Sequence, residues 1–145
     1  VPAWSADGRW LSLAAWSWQG GDRLVVVDTQ QGERHSIMQV GATYSSPTWS
    51  PIGAQLVYEQ RTDQVWELWL YDLESKQHRL LVAVRGDARR PLWLPDGERL
   101  LYRSNRFGNW DIFMLSLADP GTSIRLTTGH QREYAPAWRP CALAC

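Results

Sequence analysis

Cysteine is nearly absent from this 145-residue chain, and its two copies, Cys141 and Cys145, both fall in the last five residues. A Cys-x3-Cys pair lacks the two further ligands a structural zinc needs. It reads as a terminal tail with two thiols, open to a local disulfide if the parent protein is exported. Lysine is scarcer still: Lys76 stands alone, and arginine supplies the rest of the basic charge. Fifteen basic residues balance fifteen acidic ones. The resulting zero net charge leaves no field to hold nucleic acid or an anionic membrane surface. No run approaches the roughly 20 apolar residues of a membrane-spanning helix, so no membrane insertion is expected from this segment. A signal peptide is also missing, and the chain opens on Val1 rather than methionine; upstream residues are therefore expected to have been removed or left out.

The signatures of catalysis are missing too. There is no Gly-x-Ser-x-Gly elbow, no His-Glu-x-x-His, no P-loop and no acidic loop with calcium spacing. Of the three histidines, His35 and His78 open equivalent strands and read as outer-strand residues, and His130 follows Gly129 in a loop. No catalytic residue, cofactor or metal is expected.

What is abundant is tryptophan, with ten copies in a chain whose 44% hydrophobic content argues against disorder. Four tryptophans sit in a Pro-x-Trp unit: Trp4, Trp49, Trp93 and Trp138, spaced by 45, 44 and 45 residues. A fixed period in that range marks a stacked-repeat architecture. Gly8, Gly53 and Gly97 keep the same phase, and Asp28, Asp72 and Ser116 close aligned apolar runs.

Each repeat reads as four strands, a to d. The Pro-x-Trp segment is a; RWLSLAAW, AQLVYEQ and ERLLYRS are b; RLVVVD, ELWLYD and DIFMLS are c; HSIMQV, HRLLVAV and SIRLTT are d. Asp7-Gly8 and Asp96-Gly97 suit tight a-to-b turns, where glycine takes positive φ without steric cost. The c strands are apolar at successive positions, so both of their faces call for burial. Four-stranded antiparallel sheets of this kind, repeated at this period, are blades of a β-propeller. The expected fold is all-β, a partial propeller of three blades at about 1–41, 42–86 and 87–130, an extra inner strand at about 134–139, and a tail at 141–145.

The third repeat carries a resemblance to a known family. Pro91-Leu92-Trp93-Leu94-Pro95-Asp96-Gly97, Leu100-Leu101-Tyr102, Ser104-Asn105-Arg106, Gly108, Ile112-Phe113 and Arg125-Leu126-Thr127 resemble the WD-like repeat of the TolB propeller family. The first repeat has Trp18-Gln19-Gly20-Gly21 in place of the Ser-x-Arg-x-Gly turn, and the second lacks its glycine at Asp63. The resemblance implies a propeller and a noncatalytic binding or scaffold module in a bacterial periplasmic or otherwise extracytoplasmic setting. The same repeat also serves sensor domains and the gating propellers of prolyl-oligopeptidase-like peptidases. A substrate-gating propeller is therefore one alternative, and a glycan-binding propeller, suggested by the tryptophans, another.

Three blades do not close a ring, because propellers need about four to eight. The spare strand around Ala135–Arg139 has no home in a chain whose Val1–Trp4 already supplies the first blade's inner strand. The chain is thus expected to be the C-terminal part of a longer propeller, with a homo-oligomeric ring as the alternative; the implied partner is a protein or further copies of the chain completing the ring.

Recurrent positions hold blades together, and differing ones are free to serve a ligand. Trp4, Trp49, Trp93 and Trp138 read as inter-blade packing residues, with Trp66 and Trp110 recurring before strand c. Trp16 and Trp18 have no counterparts and are the better candidates for contact. Antiparallel order places the d-to-a and b-to-c connections on one face. The candidate binding face there comprises Tyr44, Arg89, Arg90, Glu133 and Tyr134 just ahead of the inner strands, with Trp18, Gln19, Arg61, Asn105 and Arg106 between b and c. Aromatic and arginine residues are the types enriched at interface hot spots.

Overall fold

The structure, a computed structural model, describes residues 2–17 and 21–128. Expectations placed on Trp18, Gln19, His130, Glu133, Tyr134, Trp138, the extra strand and the cysteine tail fall outside the described residues.

The described chain forms three four-stranded antiparallel sheets in which the strands follow sequence order. The first holds β1 (Ala3–Trp4), β2 (Trp10–Ser17), β3 (Gly21–Asp28) and β4 (Arg34–Ile37). The second holds β5 (Thr43–Trp49), β6 (Gln55–Thr62), β7 (Val65–Asp72) and β8 (Gln77–Val82), and the third holds β9 (Ala88–Trp93), β10 (Arg99–Ser104), β11 (Asp111–Ser116) and β12 (Asp119–Arg125). This is an all-β partial propeller, with no helix among the described residues. In the first two sheets the central hairpins are the longest, since their β-branched and aromatic residues suit a pleated, buried surface. β2 pairs with β3 from Trp10↔Asp28 to Ser17↔Gly21, and β6 with β7 from Gln55↔Asp72 to Thr62↔Val65, both without a shift in register.

One turn design recurs between the first two strands of every sheet. The amide of Ser5 donates to the Trp10 carbonyl, that of Ser50 to Gln55 and that of Leu94 to Arg99, at 2.9, 2.8 and 2.9 Å. Gly8, Gly53 and Gly97 take φ of 71, 78 and 67° in these turns. That left-handed backbone explains why the second repeat keeps its glycine after losing the aspartate before it. The residues that close the apolar runs cap the opposite hairpins. Asp28 Oδ1 accepts from the amides of Gln30 and Gln31 at 2.9 and 3.2 Å, Asp72 Oδ1 from Ser75 at 2.9 Å, and Ser116 Oγ from Ala118 at 3.3 Å.

Burial lies between sheets rather than within one. Leu24, Val26, Tyr44, Trp49, Leu56, Tyr58 and Tyr71 fill the seam between the first and second sheets. Val57, Leu68, Leu70, Trp93, Leu100, Tyr102, Phe113 and Leu115 fill the seam between the second and third. Successive residues of β6 thus serve opposite seams, Leu56 and Tyr58 one and Val57 the other, as the period of two requires. The middle sheet is buried on both faces. In β11, Asp111, Phe113 and Leu115 are buried and Ile112 and Met114 only half so, because among the described residues one face alone has a neighbouring sheet.

Two edges depart from the sequence reading. β12 begins at Asp119, ahead of the apolar run SIRLTT, because the pairing shifts register after Leu115 and brings Asp119 opposite Ser116. β4 stops at Ile37, opposite Leu24, level with the end of β8 at Val82 opposite Leu68. Met38 and Val40, which read as the end of a strand, are left in a connection.

Candidate functional site

The segment that follows β4 shapes the end of the first seam. The paired ends of β2 and β3 and the segment from β4 to β5 meet there, around a depression of about 410 Å³ lined by Trp16, Asp22, Met38, Gln39, Val40 and Thr43. Three apolar side chains on this rim are solvent-exposed in large part: Trp16 58%, Met38 57% and Val40 94%. Gln39 continues the surface, accepting at Oε1 from Gln60 Nε2 at 2.8 Å. It also borders a second, open depression of about 480 Å³ with Thr62, Asp63, Val65, Trp69 and Val84. The connections that differ most between repeats therefore form one continuous face.

Beneath Gln39 a third pocket, of about 270 Å³, enters the seam between Ile37, Tyr44, Tyr58, Trp69 and His78. Tyr58 Oη and His78 Nδ1 lie 3.0 Å apart. Burial lowers the pKa of His78, so the ring is neutral at neutral pH. The Tyr44 hydroxyl is buried without a hydrogen-bond partner, and burial raises its pKa.

The sequence-derived candidates divide by what they touch. Tyr44 lies inside β5 and is buried in the seam rather than presented by a loop. Arg89 lies inside β9, where its Nη2 donates to Glu59 Oε2 at 3.0 Å and its guanidinium sits 4.2 Å from the Trp66 ring centroid. Arg90 is exposed, but its amide donates to Glu59 Oε1 at 2.7 Å. The Glu59 carboxylate is fully buried and thereby satisfied from the next sheet. Arg61 is exposed, 5.2 Å from the same Trp66 ring. Asn105 is a turn residue whose Oδ1 accepts from the Asp87 amide at 2.7 Å, while Asp87 Oδ1 accepts from the Trp66 amide at 3.1 Å. Arg106 covers Phe113 at 4.1 Å and donates to the Tyr102 hydroxyl.

Thus Arg61 and Arg90 stay available at the surface, whereas Tyr44, Arg89, Asn105 and Arg106 are engaged within the protein. Trp49 and Trp93 are buried, and Trp4, at the end of the stack, is exposed. Met38 and Val40 escaped the sequence reading, because HSIMQV resembles its strand counterparts and nothing in it marks where pairing stops. Among the described residues no group of three or more His, Cys, Asp or Glu side chains is placed to hold a metal ion.

A family model described as the TolB beta propeller domain matches residues 1–142. A TolB homolog from Protochlamydia amoebophila (strain UWE25) is 40% identical over 37 residues, which cover 26% of this chain and 8% of that protein. The solved structure of TolB from Acinetobacter baumannii superposes with a TM-score of 0.69 at 23% identity, over 88% of this chain and 31% of that one. A puromycin-hydrolyzing peptidase from Mycobacterium tuberculosis superposes equally well, with a TM-score of 0.72 at 15% identity, over 90% of this chain and 22% of the peptidase. At these identities the structural likeness is one of fold, and the chain spans under a third of either solved protein.

Proposed function

This chain belongs to the TolB β-propeller domain family, and we propose that it is a noncatalytic module that binds a partner protein on the face at the end of its first seam. The observation that carries this reading is the exposed trio of Trp16, Met38 and Val40 around one depression. Solvent-facing aromatic, methionine and aliphatic side chains gathered at a concavity are costly to leave wet. Buried under a partner, such groups become the anchors of an interface. The partner is one that lays an apolar side chain into the depression, with Gln39 and Gln60 offering hydrogen bonds beside it. A setting outside the cytoplasm, implied by the family resemblance, belongs to the same proposal.

A photo-crosslinking residue placed at Val40 in the protein as it exists in its own cells tests the reading. A discrete protein adduct is expected there and none at Ile52, which is also exposed, in a first-to-second-strand turn at the other end of the sheets. Trp16→Ala should abolish the adduct. Equal labelling at the two positions, or an adduct indifferent to Trp16→Ala, would overturn it.

A further inference from the structure

The pocket beneath Gln39 holds a hydroxyl that no described residue answers. Tyr44 and Gln60 face each other across β5 and β6, and Tyr58 and Trp69 across β6 and β7. All four side chains therefore stand on the face of the second sheet that is turned to the first. Tyr44 is only 5% exposed, and its hydroxyl has no hydrogen-bond partner. The Gln39 backbone amide lowers the pKa of that hydroxyl somewhat against the effect of burial, yet it falls short of hydrogen-bond geometry. The phenolic hydrogen is left without an acceptor, a costly state for a buried group.

Gln60 supplies the complement. Its Nε2 donates to Gln39 Oε1 at 2.8 Å and to Thr62 Oγ1 at 3.4 Å. Those bonds fix the orientation of the amide and leave its Oε1 free to accept. Tyr44 thus offers a donor and Gln60 an acceptor from paired positions on one face. A single incoming hydroxyl satisfies both, accepting from the first and donating to the second.

The other walls suit an apolar ring. Ile37, Met38, Tyr58 and Trp69 line the pocket, and no charged side chain is among its described lining residues. Burial keeps His78 neutral, and its Nδ1 is already engaged with Tyr58 Oη. A carboxylate, a phosphate or an ammonium would enter without a counter-charge. A sugar would bring a hydroxyl on nearly every ring carbon, more than this lining can match. The volume of about 270 Å³ exceeds that of the roughly 150 Å³ apolar cavity known to accept benzene, so one substituted ring fits. We infer that this pocket binds one neutral phenol ring beside Trp69, with its hydroxyl placed between Tyr44 Oη and Gln60 Oε1.

Met38 and Gln39 border both this pocket and the depression at Trp16 and Val40, but the pocket has its own polar pair and its own walls. The phenol site therefore stands whether or not a protein docks on the exposed rim. The ring can arrive on a free small molecule or as the tyrosine side chain of a bound protein, and the chemistry that recognises it is the same.

Titration of the full chain with p-cresol, toluene and 4-methylbenzoate, followed by saturation-transfer NMR, tests this. p-Cresol should bind about tenfold more tightly than toluene, the worth of one satisfied hydrogen-bonding group, and 4-methylbenzoate should not bind. Tyr44→Phe should bring p-cresol down to the level of toluene and leave toluene unchanged. Because that variant removes a hydroxyl without a partner, its urea midpoint should match or exceed that of the unaltered protein. N-Acetyltyrosinamide separates the two sources. Its binding, with the same dependence on Tyr44, supports a tyrosine side chain; its exclusion while p-cresol binds supports a free phenol. Equal affinity for p-cresol and toluene, a preference that survives Tyr44→Phe, or a midpoint lowered by Tyr44→Phe would each overturn the inference.

Discussion

The indole of Trp93 donates its Nε1 hydrogen to the backbone carbonyl of Thr48, 3.1 Å away across the seam between two sheets. The contact fixes an apolar side chain and a backbone acceptor with one residue, and Trp49 repeats it on Ala3 one seam earlier. Both indoles are buried. Trp93→Ala should therefore empty the seam and cost roughly 3 to 5 kcal/mol. Trp93→Phe keeps most of the volume and strands one acceptor, which costs about 1 to 3 kcal/mol. Trp16→Ala, on the exposed rim, should leave the urea midpoint nearly unchanged. Equal midpoint shifts for Trp93→Ala and Trp16→Ala would contradict this division between packing and contact.

Arg89 reaches a Glu59 carboxylate that has no exposure to solvent. Arg89→Ala leaves that charge buried with only the Arg90 amide as donor, and the expected loss is roughly 3 to 5 kcal/mol. Replacing both members, Glu59→Gln with Arg89→Met, removes the uncompensated charge and should be markedly less damaging than Arg89→Ala alone. Thermal or urea unfolding of the two variants decides the matter. A double variant as unstable as the single one would mean that Arg89 acts through its packing on Trp66 rather than through Glu59.

Much of the fold was legible in the sequence, because the markers Pro-x-Trp, the turn glycine and the run-closing Asp or Ser each report a backbone requirement that every sheet shares. The apolar run Leu68–Tyr71 likewise announced a strand buried on both faces, which is how β7 lies. The site was less legible. Trp16 stood out for having no counterpart, but Met38 and Val40 did not, since nothing in HSIMQV marks that pairing ends at Ile37. Tyr44 and Arg89 read as loop residues because the register shifts beside them extend β5 and β9 backward. Such irregularities leave no periodic trace. Nor does the sequence say that Glu59, apart from Arg89 by a whole blade edge, is buried and must be answered.

Gly97 combines a φ of 67° with a close neighbour: a Cβ built there would fall 2.1 Å from Ile52 Cγ1 of the adjacent repeat. Gly97→Ala therefore meets both left-handed strain, about 1 to 2 kcal/mol, and a clash that forces Ile52 to move. Gly108, at φ 93° with open space around it, meets the strain alone. Gly97→Ala should be the more destabilising of the two, and Ile52→Ala should relieve the difference. If Ile52→Ala has no such effect in the Gly97→Ala background, the contact between the two turns is unimportant.

Asp28 supplies a prediction about acid. Its carboxylate accepts from Arg9 Nη2 at 2.6 Å and Nε at 3.0 Å and from the amides of Gln30 and Gln31. The Arg9 hydrogen bonds, aided by those two amides and opposed by burial, hold its pKa below the usual carboxylate value of 3.8. A group whose pKa is lower folded than unfolded binds its proton first in the unfolded chain. Its stabilisation is complete above the unfolded value, about 4, and is lost as pH falls from there through the lower folded value. Asp28→Asn keeps an acceptor for the turn amides but removes the charge, so the variant should be less stable at pH 7 and lose less on acidification. Asp7, Asp72 and Asp96, also lowered by turn hydrogen bonds, remain in both proteins and preserve part of the slope. Urea midpoints for the two proteins should therefore converge between about pH 5 and pH 2. A gap that stays constant over that range would mean that Asp28 holds its proton equally well folded and unfolded, and that its pairing with Arg9 adds nothing to the stability of the first sheet.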